Sequence, residues 1–305
     1  MHLSGIHELK VLVTGGSGFI GTWTIRKLLE NNHEAAALDV RDPLDDIEFH
    51  KVDVRNFKEY ERVAKDFDAV IHLAAIVGVE DAYKDPITAE EVNVRGTLNV
   101  LEVARERGQK VVYASSASVY GEPKYVPMDE DHPLRPKSVY GATKLGGEAL
   151  VVAYAQNYQM KTVALRYFNV YGPLMKRSSY AGVIYHFLVS VLKNEPLPIY
   201  GDGTQVRDYV YVEDVARANV MMLSRGEGVY NVGTGKGTSV NDLAELVFEV
   251  TGKRTGIRRL PPRPGDPQRS VADIRRITEL GWKPLVSLEE GIRRTWEWLR
   301  EEVNQ

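Results

Sequence analysis

The chain has 305 residues, 43% of them hydrophobic and 27% charged, which is the make-up of a globular protein with one large domain or two ordinary ones. A formal charge of −3, from 39 basic and 42 acidic residues, leaves no whole-chain electrostatic footprint for nucleic acid. Cysteine is absent, which excludes disulfides, Cys-based zinc sites and thiol nucleophiles together.

Residues 1–10 contain no apolar stretch of signal-peptide length, and no later segment approaches the roughly 18 uninterrupted apolar residues of a spanning helix. The expectation is a cytoplasmic protein with no membrane partner. Apolar runs of strand length fall at 10–14, 35–39, 69–73 and 110–114. Between them lie amphipathic stretches at 19–31, 57–67 and 89–108. This alternation predicts a doubly wound parallel sheet with helices on both faces, an α/β fold. After Asn169 the rhythm breaks into turns at 172–173, 196–198, 201–203 and 261–265, with helical pieces at 181–194, 239–251 and 287–302. The expected division is 1–170 for a cofactor domain, with the chain returning to it around 206–235. Residues 171–305 then form a smaller, irregular substrate-binding domain.

The first strand runs into Gly15-Gly16-Ser17-Gly18-Phe19-Ile20-Gly21, which opens the first helix. Glycines there let the backbone approach a pyrophosphate, and the helix N-terminus offers amides and a positive dipole end. Gly16, Gly18 and Gly21 satisfy G-x-G-x-x-G, whereas Gly15, Gly18 and Gly21 satisfy G-x-x-G-x-x-G; spacing does not choose between them. Asp39 ends the second strand, 18 residues after Gly21. A carboxylate at that place accepts from the adenosine ribose hydroxyls and repels a 2′-phosphate, so the turn reads as a Rossmann-type site for NAD. Arg41 beside it is the feature that would accommodate NADP.

Tyr140 and Lys144 stand four apart at the head of a predicted helix, on one face. A phenol with a pKa near 10 is a poor base at neutral pH, but an adjacent ammonium favours its ionised form. The seven histidines are scattered with no HExxH pair, so no catalytic metal is expected.

The glycine turn, Asp53-Val54-Arg55, His72-Leu73-Ala74-Ala75, Asn93-Val94-Arg95-Gly96-Thr97, Ser115-Ser116 with Tyr120-Gly121, and Tyr140-Gly141-Ala142-Thr143-Lys144 occur in one order. Further on come 166–173, 207–214 and Arg263-Pro264-Gly265-Asp266. Together, over residues 10–298, they resemble the extended short-chain dehydrogenase/reductase family, in its nucleotide-sugar epimerase/dehydratase group. The resemblance implies that Tyr140 is the catalytic base, Lys144 its electrostatic partner and a ligand of the cofactor ribose, and Ser116 the third member of the triad. It implies a cofactor site of Gly15, Gly18, Phe19, Ile20, Gly21, Asp39, Asp53, Val54, Leu73, Ala74, Ala75, Asn93, Ser115, Tyr140, Lys144 and Tyr167. It also implies substrate contacts from Ser116, Asn169, Val183, Tyr200, Arg207, Arg263 and Asp266, arginines being suited to bind a diphosphate in bidentate fashion.

Sugar 4,6-dehydratases of the family follow the catalytic hydroxyl residue with Asp-Glu, and the decarboxylases keep that Glu. Here the corresponding residues are Ala117 and Ser118, which supply no carboxyl group for elimination or decarboxylation. Val77 stands where epimerases of the bacterial galactose pathway often carry a Lys. The implied activity is 4-epimerisation of UDP-glucose and UDP-galactose through a 4-keto sugar with retained NAD. The rivals are an epimerase of another nucleotide sugar (UDP-N-acetylhexosamine or UDP-glucuronate), a nucleotide-sugar reductase, and a non-catalytic NAD-binding sensor. Helices at 89–108 and 138–158 match those that pair two copies in this family, so a homodimer is expected. Ser270, small and soon after Asp266, would leave room for a 2-acetamido group.

Overall fold

The computed structural model describes residues 8–178, 182–263 and 266–304. Pro264 and Gly265 of the Arg263–Asp266 motif, the first residues of the chain and Ala181 lie outside them. Strands β1 (Lys10–Thr14), β2 (Glu34–Asp39), β3 (Glu48–Lys51), β4 (Ala69–His72), β5 (Lys110–Ser116) and β6 (Thr162–Tyr167) make up most of the main sheet. Helices α1 (Phe19–Glu30), α2 (Phe57–Ala64), α3 (Val79–Lys84), α4 (Pro86–Glu90), α5 (Gly96–Arg107) and α6 (Val139–Tyr158) connect them. Next come β7 (Asn169–Tyr171), α7 (Gly182–Leu192), β8 (Leu197–Tyr200), β9 (Val206–Arg207), β10 (Tyr209–Tyr211), α8 (Val212–Met221) and β11 (Gly228–Val232). The chain closes with β12 (Thr238–Ser239), α9 (Val240–Thr251), β13 (Ile257–Leu260), β14 (Arg269–Ser270), α10 (Arg275–Glu279) and α11 (Leu288–Asn304).

The sheet is parallel throughout, in the order β11-β6-β5-β4-β1-β2-β3. This is the doubly wound α/β sheet that the strand–helix alternation predicts. Its central strands read as unbroken apolar runs because both faces are covered. Alternate residues serve opposite faces. Val11, Val13, Ala37, Ile71 and Val112 pack with Ile25 and Leu28 of α1 and Val215 of α8. Leu12, Leu38, Val70 and Val111 pack with Tyr60 of α2 and with Val100 and Leu101 of α5. A third core, built on Phe187, Leu188, Leu243, Val247 and Trp296, joins α7, α9 and α11.

Some elements are not evident from apolar patterning. β3 is an edge strand of Glu-Phe-His-Lys, too polar to register as a buried run. β6 and β11 carry Arg166 and Asn231 in their buried interiors, which interrupt their apolar signal. The helix predicted at 89–108 is in fact α4, a π-helical turn at Glu91–Arg95, and then α5. The wide turn carries Asn93, whose amide group is bonded to Ile76 and Thr143, and such turns collect at functional sites.

The fully buried carboxylate of Asp208 ties the short elements together. It accepts from the Thr234 amide and hydroxyl (2.8 and 2.7 Å), the Gly235 amide (2.9 Å) and the Ala272 amide (3.2 Å). Burial raises its pKa, and these donors oppose the rise. Removing the carboxylate leaves its donors buried and unpaired. Asp208→Ala should lose about 3 kcal/mol, a fall of roughly 5–10 °C in melting temperature by scanning calorimetry; an unchanged transition would refute this role.

Candidate active site

The sheet order reverses between β1 and β4, and in open α/β sheets ligands bind in the crevice that this reversal leaves at the carboxyl edge. The glycine turn sits there. Gly15 has φ +67°, and a Cβ on it would come within 2.7 Å of the Ala74 amide nitrogen. A Cβ on Gly16 would meet Ala37 at 2.7 Å, and one on Gly21 would run into the carbonyl of Gly15. Both readings of the spacing are therefore sterically real: Gly15 and Gly21 shape the turn and Gly16 seats it on β2. No side chain caps α1, whose first turn carries no acidic residue, so it can receive an anion. Asp39 reaches the same turn, accepting from the Ser17 amide (3.1 Å) and the Arg41 amide (3.1 Å). A cradle with no room for side chains, flanked by a carboxylate at the end of β2, fits a dinucleotide.

The other predicted cofactor residues line the same edge. Phe19 and Ile20 open α1, with the Phe19 ring packed into the third core, so its amide rather than its ring faces the cradle. Leu73, Ala74 and Ala75 follow β4, and Thr14 Oγ1 accepts from the amides of Leu73 and Ala74 (both 3.2 Å). Asp53 and Val54 follow β3; the Asp53 carboxylate pairs with Arg55 at 2.7 Å, which holds its pKa below the usual range. Val54 is buried against Gly96. Tyr167 ends β6, with its hydroxyl donating to Asn219 of α8 (2.5 Å).

Ser138 caps α6 by accepting from the Gly141 amide (3.0 Å), which sets Tyr140 in the helix's first turn. A Cβ on Gly141 would come within 2.7 Å of the Ser118 carbonyl, so the glycine lets the turn after β5 press on the head of α6. That contact sets the turn that follows Ser116 against the first turn of α6, which carries Tyr140. Ser116 Oγ accepts from the Ser118 amide (3.1 Å) and hydroxyl (2.9 Å), leaving its own hydrogen for another acceptor. Ser118, where the dehydratases carry a carboxylate, is occupied in orienting Ser116.

Lys144 is almost fully buried, its ammonium 4.6 Å from the centre of the Tyr113 ring. Tyr113 in turn donates to the Lys144 carbonyl (3.1 Å). Asn93 clamps this helix: it donates to Thr143 (2.9 Å) and the Ile76 carbonyl (3.1 Å) and accepts from the Ile76 amide (2.8 Å). Several supporting residues escape sequence reading. His72 lies between Thr14 (2.6 Å) and Thr97 (3.0 Å), and Thr97 spends its hydrogen on the Asn93 carbonyl (2.7 Å). His72 therefore donates from Nε2 and accepts at Nδ1 as a neutral ring. Burial, with Lys144 nearby, lowers its pKa to about 3. Ser115 donates to Glu148 (2.5 Å), which also pairs with Arg166 (2.5 Å). Glu148 was open to detection as the next residue on the Tyr140–Lys144 helix face.

The predicted substrate residues other than Ser116 fall into a second cluster. Asn169, just past β6, donates from its amide and its side chain to the Asp208 carbonyl (3.0 and 3.2 Å). Arg207 on β9 forms an ion pair with Asp266. The Arg263 guanidinium stacks on Tyr200 at 3.8 Å from the ring centre. Val183 is in the first turn of α7, and His186 one turn further has its pKa lowered by burial and by Arg263. Ser270 pairs in register with Arg207. A cavity of about 580 Å³ lined by Leu9, Lys110, Lys161 and Arg225 opens at the opposite, amino edge of the sheet and touches none of these residues. Among the described residues, no cluster of three or more His, Asp or Glu could hold a metal ion, and no helix is long and apolar enough to cross a membrane.

Burial lowers the pKa of Lys144 from its ordinary 10.5 to about 7, against the opposing pull of Glu148. Between those values the unfolded chain binds the extra proton, so stability rises with pH across that window. The buried ammonium weighs fully against the fold below about pH 7, and the penalty fades toward pH 10.5. Lys144→Met should therefore raise the melting temperature of the NAD-free protein by several degrees near neutrality, with a gain that shrinks as pH rises toward 10. A gain independent of pH would refute this account.

The model of the NAD dependent epimerase/dehydratase family matches residues 11–233. A protein from Methanocaldococcus jannaschii provisionally named UDP-glucose 4-epimerase is 42% identical over 95% of this chain and 98% of its own length. The structure of UDP-glucose 4-epimerase from Thermotoga maritima with UDP-glucose is 37% identical, with TM-score 0.92, covering 96% of this chain and 99% of that one. That of the Thermus thermophilus UDP-glucose 4-epimerase with NAD is 41% identical, with TM-score 0.88, over 95% and 99%. With its glycine cradle, its Tyr140–Lys144 helix and a match across most of its length, this chain belongs to the NAD dependent epimerase/dehydratase family.

Proposed function

We propose that this chain is a UDP-glucose/UDP-galactose 4-epimerase working with retained NAD. The observation that carries the reading is the meeting of two features at one sheet edge. A glycine cradle with Asp39 lies beside Tyr140, Lys144 and Ser116, and positions 117 and 118 hold no carboxylate. The relatives solved with UDP-glucose and with NAD support it.

In this reading Gly15, Gly18, Phe19, Ile20 and Gly21 receive the pyrophosphate of NAD, and Asp39 its adenosine ribose. Asp53 and Val54 border the adenine, while Leu73, Ala74, Ala75, Asn93, Ser115 and Tyr167 line the remaining wall. Bound NAD supplies hydride acceptance from sugar C4 and return of that hydride to the opposite face. Tyr140 takes the proton of the 4-hydroxyl and later gives it back. Lys144 favours the phenolate by its charge. Ser116 donates its free hydrogen to the same sugar oxygen. Arg207 and Arg263 hold the diphosphate, with Asp266 on the ribose hydroxyls and Asn169, Val183 and Tyr200 around them. An anchor at the diphosphate leaves the 4-keto sugar free to turn in place. The exclusion of water from the ketone falls to the 171–305 half, folded over the 1–170 cofactor half. The return of the chain through α8 and β11 to the first core supports that division.

The reading extends to a cytoplasmic homodimer paired through α5 and α6. Exposed Tyr158 on α6, stacked on Arg105 of α5, supports it, as do exposed Tyr83 and Ile87 on α3 and α4, two helices that pack against α6.

Tyr140→Phe should lower conversion of UDP-galactose, followed by NMR without added NAD, by about 10²–10⁴-fold while NAD stays bound. Near-normal turnover would refute Tyr140 as the base. A second reading, acceptance of 2-acetamido sugars, is favoured by the small Ser270 beside Arg207. A relative from Methanobrevibacter ruminantium, solved with TM-score 0.92 and 33% identity, is a UDP-N-acetylglucosamine 4-epimerase. Turnover of UDP-N-acetylglucosamine by the native protein, lost on Ser270→Tyr with UDP-glucose turnover kept, is the expected result; no turnover of the acetylated sugar beside good turnover of UDP-glucose would rule the reading out.

A further inference from the structure

Glu148 follows Lys144 by one helical turn and is 2% exposed. It holds three elements together. From β5, Ser115, next to Ser116, donates to it at 2.5 Å. From β6, Arg166, next to Tyr167, donates from Nη2 (2.5 Å) and Nε (3.0 Å). On its own helix it stands one turn after Lys144, near enough for its charge to act on that ammonium without a direct ion pair. Arg166 is itself spent further on, donating to the Tyr120 hydroxyl (3.0 Å) and the Glu130 carbonyl (2.9 Å). Tyr120 donates to Asn231 (2.5 Å), whose amide donates to the Glu130 carboxylate (2.8 Å).

We propose that Glu148 is a positioning residue for the reaction: clamped by Arg166 and Ser115, it is the counter-charge that the buried ammonium of Lys144 needs in order to support Tyr140. A lone ammonium in so dry a place is costly, and a carboxylate one turn away offsets part of that cost. Glu148 acts through Lys144 and touches neither sugar nor cofactor in this account, which rests on the epimerase reading above.

The groups around the pair make the idea testable by pH. His72 from β4 is lowered to about 3 by burial and by Lys144, and Tyr113 from β5 is raised well above its ordinary value by burial. Tyr120 is raised by burial, and Arg166 is raised by its bonds to Glu148 and Tyr120 despite its burial. Glu130, beyond Arg166, is raised by burial above the usual carboxylate range. His72, Tyr113, Tyr120 and Arg166 hold one protonation state between about pH 5.5 and 9. Glu130, touching Arg166 only through its carbonyl, is separated from Lys144 by the Glu148–Arg166 pair. Lys144, lowered to about 7 by burial, is the group of the pair that changes there, with Tyr140 one helical turn before it.

The test compares kcat and KM for UDP-galactose across that range in the native protein, Glu148→Gln and Glu148→Asp. Loss of the carboxylate lets Lys144 give up its proton at lower pH. The kcat ratio of Glu148→Gln to native should therefore fall about tenfold with rising pH and then level off, for a displacement of one pH unit. KM should stay within about twofold, and Glu148→Asp should recover part of the loss. A ratio flat with pH, or a loss carried by KM, overturns the proposal. If Glu148→Gln does not fold because Arg166 is stranded, the same profile is taken on Glu148→Gln/Arg166→Met, which removes both charges. Failure of both to fold makes Glu148 a structural residue and overturns the proposal. Absence of native turnover overturns the epimerase reading with it, whereas normal native turnover with a flat ratio overturns the role of Glu148 alone.

Discussion

The Glu148–Arg166 ion pair is the contact on which the site's architecture turns. Both side chains are about 3% exposed, at the meeting of β5, β6 and α6. A buried pair of this kind does not by itself stabilise a fold, because desolvation consumes most of its attraction. What it imposes is placement. With Ser115 and Tyr120 bonded into it, the end of β5, the Lys144 turn of α6 and the end of β6 have one compatible arrangement. Removing either charged member strands the other in the core, so the arrangement is also hard to leave.

A second constraint, steric rather than electrostatic, works on the cofactor side. The turn from β1 to α1 is packed so closely on Ala37 and on the residues after β4 that only glycine fits at 15, 16 and 21. The His72 chain of Thr14, Thr97 and Asn93 then joins that turn to α6 through Thr143. Cradle and Tyr–Lys helix are thus rigidly related through neutral hydrogen bonds, with the charges of the Glu148 network on the far side of Lys144. The second half is stapled in the same manner by Asp208, and by Asp214, which accepts from the amides of Leu285 and Val286 (both 3.1 Å).

The low pKa of Lys144 shows a tension between stability and chemistry. Burying the ammonium opposes folding, yet a charge in a dry place acts on a neighbouring phenol far more strongly than one in water. Functional sites commonly hold such unfavourable groups, supported by the packing around them.

By itself the sequence determined the parallel sheet, the glycine turn with Asp39, the Tyr140–Lys144 helix and the missing carboxylates at 117 and 118. Each of these is local: a period, a spacing or a residue type within a few positions. The tertiary structure alone decided which glycines are sterically obligatory, that Asn93 lies in a π turn, and that Arg166, Glu148, His72 and Asp208 are buried hubs. Arg166 and Asn231 interrupt the very strands they belong to, so local pattern hides β6 and β11. Their partners stand 18 and about a hundred residues away along the chain. Apolar periodicity is written along the chain because burial is read one residue at a time. A buried polar group becomes intelligible only beside the distant donor or acceptor that satisfies it.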